Sequence, residues 1–330
     1  MTFRRMLLVM VVLMGAFIGV KAFKKRSTSQ SDVKQPEVEQ VATKVVEPTP
    51  VIVESEPLIK KEISVSSDNS EEVNLIDRLF TTGHDKLPIV ETVSYSSRVP
   101  WLKGRPAWIA DYASHFATSR HFIARSLNKK ADYYTQKVSS GDRFNVLNPD
   151  KMFNFYLLVD LKESKMWFYY VDAESAEKTL LKTYKVGLGV LTNDTSLTPT
   201  GAYLLGEKVA TYKPGMLGYF QSEKVEMINV FGTRWLPFES EIADCSDSAK
   251  GYGIHGLPIR LDESNNELKE ETHLLGQYAS DGCIRLKQED VEELFSIVIS
   301  RPTIVEIVKD SKEIRADNKK IPQLIAYGKD

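Results

Sequence analysis

Two glycine-bearing segments constrain this chain more than anything else in it: Tyr252-Gly253-Ile254-His255-Gly256 and Ser280-Asp281-Gly282-Cys283-Ile284-Arg285. A thiol attacks a carbonyl only as the thiolate, and a free cysteine with a pKa of about 8.5 is mostly protonated at neutral pH unless a base or a positive field assists it. His255 can be that base. Gly282 leaves the approach to Cys283 free of a side chain, so a substrate carbonyl can come close to backbone N–H groups that stabilise a tetrahedral oxyanion. Arg285 can hold a carboxylate. Any fold compatible with this chemistry must bring the two segments together, and the chemistry they suit is acyl transfer on a substrate bearing acidic groups.

In spelling and order these parts resemble the L,D-transpeptidase catalytic domain, or YkuD domain, whose signature is His-Gly followed later by Ser-x-Gly-Cys-x-Arg. Upstream segments agree in order: Asp160-Leu161 inside a hydrophobic hairpin, Thr198-Pro199-Thr200-Gly201 before a strand, and Phe231-Gly232-Thr233-Arg234-Trp235. The resemblance covers residues 152–309. It implies an enzyme of peptidoglycan metabolism that needs no cofactor and acts on stem peptides. In that scheme Cys283 is the nucleophile and His255 the general base and acid. The Gly256 carbonyl orients His255, Gly282 supplies an oxyanion N–H, and Ser280 and Arg285 bind substrate. Two features depart from the family pattern. Asp281 stands where many members have histidine, and a carboxylate pointing inward there raises the thiol pKa. The interval from His255 to Cys283 is also longer than usual, and its charged stretch from Leu261 to Thr272 is expected to form a flap or lid over the cleft.

Other readings of the same residues are weaker. Cys245 and Cys283 are the only cysteines, and in an exported protein a disulfide between them is the plain alternative; the glycine-flanked setting of Cys283 favours a free nucleophile, with Cys245 a spectator. His273, Asp281 and Cys283 with His255 match no usual zinc spacing. Tyr252 and Trp235 can line a cleft, although aromatic residues beside strands more often belong to a core. A net charge of −2, without a basic stripe interleaved with aromatics, argues against nucleic-acid binding.

Taken in order, residues 1–26 place Arg4 and Arg5 before an apolar run from Met6 to Val20 closed by Lys21, Lys24, Lys25 and Arg26. This is an export signal, either a cleaved signal peptide or an anchor spanning residues 6–23 of an inner membrane. The remainder then lies on the periplasmic side of the envelope. Residues 27–70 lack aromatics and glycine and carry four prolines, the composition of a disordered tether. Val73, Ile76, Leu79 and Phe80 predict a short amphipathic helix within 71–87.

Residues 88–148 read as two short helices, Ile109–Ala113 and Phe122–Leu127, followed by a turn and strand over Val138–Val146. This unit weakly resembles a LysM module, which implies contact with glycan strands; the alternative is a cap on the catalytic domain. Within 152–309 the pattern predicts a hairpin, Phe155–Leu161 with Met166–Val171, then strands at Tyr184–Val190, Ala202–Val209, Val225–Phe231, Gly251–His255, Cys283–Leu286 and Thr303–Val308. A helix is predicted from Lys287 to Ser300, with acidic residues in its first turn and Pro302 beyond its end. Residues 310–330 form a tail. The expected fold class is α+β, mostly β: a sandwich or barrel-like catalytic domain behind a small helix-rich module.

Overall fold

The computed structural model describes residues 73–128, 137–193 and 195–312; the predicted membrane segment, the 27–70 tether and most of the tail lie outside the described residues. The chain is mostly β with few helices, as the sequence pattern leads one to expect. Helix α1 (Ile76–Phe80) precedes strand β1 (Val90–Ser94), helices α2 (Ile109–His115) and α3 (Arg120–Asn128), and strand β2 (Arg143–Leu147). The larger region opens with β3 (Phe153–Asp160), β4 (Lys165–Asp172) and β5 (Lys178–Lys185). It continues through the short strands β6 (Leu188–Gly189), β7 (Leu191–Thr192) and β8 (Thr195–Ser196) to β9 (Gly201–Leu205) and β10 (Ala210–Thr211). A hairpin of β11 (Leu217–Phe220) and β12 (Glu223–Glu226) leads into helix α4 (Ile228–Phe231) and the long strand β13 (Arg234–Ala243). Then come β14 (Gly253–Gly256), a hairpin of β15 (Ile259–Asp262) and β16 (Glu267–Glu270), β17 (Tyr278–Ser280), β18 (Ile284–Leu286), helix α5 (Gln288–Val298) and β19 (Thr303–Val308).

The main sheet runs β18-β14-β13-β9-β19-β3-β4-β5, with β10 added on β13. It nearly closes on itself, because Gly187, just past β5, bridges to Arg285 of β18 through two backbone bonds of 2.8 and 2.9 Å. Strand alternation sends Phe155, Leu157 and Val159 of β3, with Met166 and Phe168 of β4, into the main core. Helix α5 lays Val291, Leu294, Phe295 and Val298 on the same core. Each such side chain contributes about 1.5–3 kcal/mol by leaving water.

Three elements differ from expectation. The expected strand Tyr184–Val190 becomes the end of β5 and, after a break at Val186-Gly187 where the chain turns to bridge Arg285, the short β6. The predicted strand Val225–Phe231 is instead the end of a hairpin followed by one helical turn, Ile228–Phe231, which Gly232 terminates at φ +59°. Conversely, the ten-residue β13 has no clear signal in the sequence, because Pro237 in its middle reads as a strand breaker. Pro237 is tolerated because its carbonyl accepts from Gly206 N–H while the next amide, Phe238 N–H, donates to Tyr252 O.

The 88–148 unit has strand–helix–helix–strand order, with β1 and β2 paired antiparallel from Val90↔Leu147 to Ser94↔Arg143. It has a small core of its own around Tyr112 and Phe144, while Phe122 and Leu147 belong to the main core. Ser119 ties it to α5, with its N–H donating to Ser300 Oγ and its hydroxyl to Ser296 O, both at 2.7 Å.

A further seam is made by Asn145, which is fully buried: its Nδ2 donates to Leu79 O and Thr81 O at 2.8 Å, and its Oδ1 accepts from Thr92 Oγ1 at 2.7 Å. Asn145→Ala strands two carbonyls and a hydroxyl in the interior. It is expected to cost about 3 kcal/mol, read as a lowered midpoint in urea unfolding.

Candidate active site

Strands β14 and β18 lie side by side in parallel register, Ile254↔Ile284, His255↔Arg285 and Gly256↔Leu286. Ile254, Ile284 and Leu286 are completely buried in the core. The opposite face therefore carries His255 and Arg285, and alternation continues it to Cys283. From His255 to Cys283 is one strand spacing across and two residues along, about 8 Å between backbones. An imidazole and a thiol side chain together can close such a span. The same juxtaposition shows electrostatically: the Arg285 charge acts on both Cys283 and His255.

The histidine is held in one orientation. Its Nδ1 lies 2.7 Å from Gly256 O, and a carbonyl only accepts, so Nδ1 carries the proton and Nε2 is bare. The ring is buried, edge-on to Phe231 at 5.2 Å between centroids and tilted against Trp235 at 5.9 Å. Burial pushes the imidazole down to about 3; the Gly256 carbonyl opposes this and the Arg285 charge adds to it.

Cys283 is half-buried, with its Sγ 3.7 Å from Gly251 O. Burial pushes the thiol up to about 11, against the Gly253 backbone bond and the Arg285 charge, with Asp281 pushing it further up. The effect of Asp281 thus has the expected sign but is the smallest of the four. Its carboxylate is exposed, where Gln221 Nε2 donates to it at 3.2 Å. Both cysteines are free thiols, and Cys245 Sγ donates to Ala202 O at 3.1 Å.

Ser280 and Gly282 build the turn that presents the thiol. The Ser280 hydroxyl is buried, donates to Cys283 O at 2.6 Å and accepts from Gly282 N–H at 3.2 Å. Both groups are therefore engaged within the turn that presents the thiol. Gly282 has φ +113°, and a Cβ there would fall 2.5 Å from Tyr252 Cε1 and 2.8 Å from Leu197 O. The Thr198-Pro199-Thr200-Gly201 stretch acts from behind: Thr198 Oγ1 accepts from Gly189 N–H at 2.8 Å, and Gly189 backs directly onto Gly282.

Arg285 Nη1 donates to Ala279 O at 3.1 Å, while its buried Nε has no hydrogen-bond partner in the structure. Burial lowers its pKa, offset by Cys283, Asp281 and Glu271. A cation with an unmatched donor beside a neutral thiol is suited to an incoming carboxylate.

The charged insertion after His255 is an ordered hairpin, β15 with β16, in register from Ile259↔Glu270 to Asp262↔Glu267. At its base Arg260 pairs with Glu271 at 3.3 Å, and both charges act on Arg285. A second hairpin, β11 with β12, also reaches the site, and sequence reasoning missed it. Gln221 at its tip bonds Asp281, and Phe220 packs edge-on to Phe231, which in turn packs on His255. Tyr252 joins the site as well, its hydroxyl donating to Asp247 Oδ2 at 2.9 Å and its ring pressed on Gly282.

A neutral imidazole with a bare nitrogen, a thiol on the same sheet face and an adjacent arginine form the layout of a cysteine-dependent acyl-transfer site. Residues 154–307 match the YkuD family, described as the L,D-transpeptidase catalytic domain. The chain thus carries a YkuD L,D-transpeptidase catalytic domain over that span. Similar solved structures include Bd1075 of Bdellovibrio bacteriovorus, at 15% identity over 48% of this chain and 49% of that one, with a TM-score of 0.33. Another is the helical cell shape determining protein Pgp2 from Campylobacter jejuni, at 15% identity over 48% of this chain and 50% of that one, with a TM-score of 0.31. The chain spans about half the length of each. A search of curated proteins returns no significant match.

Proposed function

We propose that this chain is a peptidoglycan L,D-transpeptidase of the cell envelope. Cys283 attacks the carbonyl of the third, diamino acid residue of a tetrapeptide stem, forming a thioester and expelling D-alanine. His255 Nε2 takes the thiol proton as the C–S bond forms and returns it to the leaving amine. An amine of a second stem then displaces the sulfur to give a 3→3 cross-link, or water does so and the product is a trimmed stem. The Cys283 N–H is the leading oxyanion donor in this scheme, because the Gly282 N–H already donates within the turn. Arg285 takes a substrate carboxylate with the exposed end of its guanidinium. The strand–helix–helix–strand unit, with Trp108 exposed, is proposed to rest on glycan, and the basic-flanked apolar run near the amino terminus to attach the enzyme to the membrane.

The observation that carries this reading is the fixed, bare Nε2 of a neutral His255 on the same sheet face as Cys283. The test is incubation with purified sacculi, digestion, and identification of the muropeptides by mass. Loss of terminal D-alanine or new 3→3 dimers is expected, absent in Cys283→Ala. A carbapenem is expected to add once to Cys283 by intact mass, and binding to sacculi without either reaction would mark the protein as a scaffold.

A further inference from the structure

The thiol stands between two charges of opposite sign. Arg285 lies two residues after Cys283 and Asp281 two residues before it, and the Asp281 charge acts on both. Asp281 is exposed, whereas its neighbours Ser280 and Gly282 are buried in the turn. The hairpin of β11 and β12 aims its carboxylate. Phe220 pairs with Glu223, so Gln221 and Ser222 alone make the hairpin turn, both at positive φ, +49° and +70°. From that turn Gln221 Nε2 donates to Asp281 Oδ2 at 3.2 Å, and Phe220 seats the hairpin edge-on against Phe231 at 5.5 Å. Glutamine is neutral, so it orients the carboxylate without cancelling its charge.

For the first half-reaction this charge is a cost, because a carboxylate beside a thiol disfavours the thiolate. Once Cys283 is acylated, the sulfur has no charge left to oppose. The carboxylate then acts only on the nucleophile that arrives. A primary amine arrives as an ammonium, which a carboxylate holds by a charge-assisted hydrogen bond; water has no such charge.

On the transpeptidase reading, on which this rests, we propose that Asp281, aimed by Gln221, binds the primary ammonium of the acceptor and so favours amine over water at the thioester. The ammonium gives one proton to solvent, and its nitrogen forms the C–N bond as the C–S bond breaks. A second proton passes through His255 Nε2 to the Cys283 sulfur, and the new amide keeps the third. The test gives the full chain tetrapeptide stem as both donor and acceptor, with hydroxylamine, a nucleophile uncharged at neutral pH, as a competing trap. In Asp281→Asn the ratio of 3→3 dimer to trimmed tripeptide is expected to fall about tenfold, the range of one hydrogen bond to a charged group, while the ratio of hydroxamate to tripeptide stays unchanged. Both ratios are set within the acyl-enzyme, so neither depends on how much of the variant folds. Gln221→Ala is expected to lower the dimer ratio in the same direction and by less. An unchanged dimer ratio in Asp281→Asn, or an equal fall in dimer and hydroxamate, overturns the assignment. A wild type that trims stems without making dimers overturns this assignment alone; one that neither releases D-alanine nor takes a carbapenem overturns the transpeptidase reading beneath it as well.

Discussion

Gly282→Ala is expected to slow acylation of Cys283 by at least about 100-fold in a protein that still folds. The added Cβ would sit 2.5 Å from Tyr252 Cε1 and 2.8 Å from Leu197 O, and the second of these is backbone. The ring cannot simply swing aside, since its hydroxyl is bonded to Asp247. In addition φ is +113°, where an L side chain costs roughly 1–3 kcal/mol. The turn relaxes by carrying Cys283 away from His255, and a misplacement of about 1 Å suffices for a 100-fold loss. Gly141→Ala is the matched control: φ is +92° but nothing lies within 4 Å of its Cβ and it lies away from the thiol, so it keeps the strain and omits the collision. Carbapenem adduct formation followed by intact mass compares the two. Equal rates would mean that the packing of Tyr252 and Leu197 on the turn is irrelevant to positioning the thiol.

The cysteine turn and the histidine strand are legible in the sequence because acyl transfer requires particular residue types, and because Gly282 stands where no side chain fits. Helix α5 is legible for a different reason: its apolar spacing and acidic first turn are local signals that tertiary structure reinforces. What cannot be read locally is what nonlocal contacts decide. The hairpin of β11 and β12 follows Lys213-Pro214-Gly215 and carries exposed Leu217 and Tyr219, so it reads as loop; its role depends on Gln221 meeting Asp281, sixty positions away. Pro237 hides β13 in the same way, since only the pairing with β14 and β9 shows which of its amides are needed. The hydroxyl of Ser280 lies within the motif itself, yet only the fold reveals that the turn uses it.

The largest effect expected after that of Gly282 concerns pH. With His255 near 3 and Cys283 near 11, the resting pair at neutral pH is thiol and imidazole, both uncharged. Iodoacetamide, which consumes thiolate without needing a substrate-bound base, is therefore expected to alkylate Cys283 at a rate that keeps rising with pH toward about 11. Acylation by substrate is expected to be flat across pH 5–9, because the proton passes from sulfur to Nε2 within the site. His255→Ala is then expected to slow acylation about 10²- to 10⁴-fold while leaving slow alkylation by iodoacetamide at high pH. A thiolate absorbance already present at pH 7 would refute the neutral pair. The same shifts set the direction for stability. Between about 3 and the ordinary imidazole value of 6.5 the unfolded chain binds a proton that the folded one refuses, so the His255 contribution to stability falls as pH drops through this window. Between 9.0 and about 11 the unfolded thiol releases a proton that folded Cys283 retains, so its contribution falls as pH rises. Arg285→Met separates the two groups, because removing that cation raises the thiol pKa and the imidazole pKa together. The alkylation profile should move to higher pH, while the acid loss of stability from His255 still begins near 6.5 but levels off at a higher pH and is smaller in all, a pair of displacements that mere loosening of the site, which drives the thiol back down toward its ordinary value, does not produce.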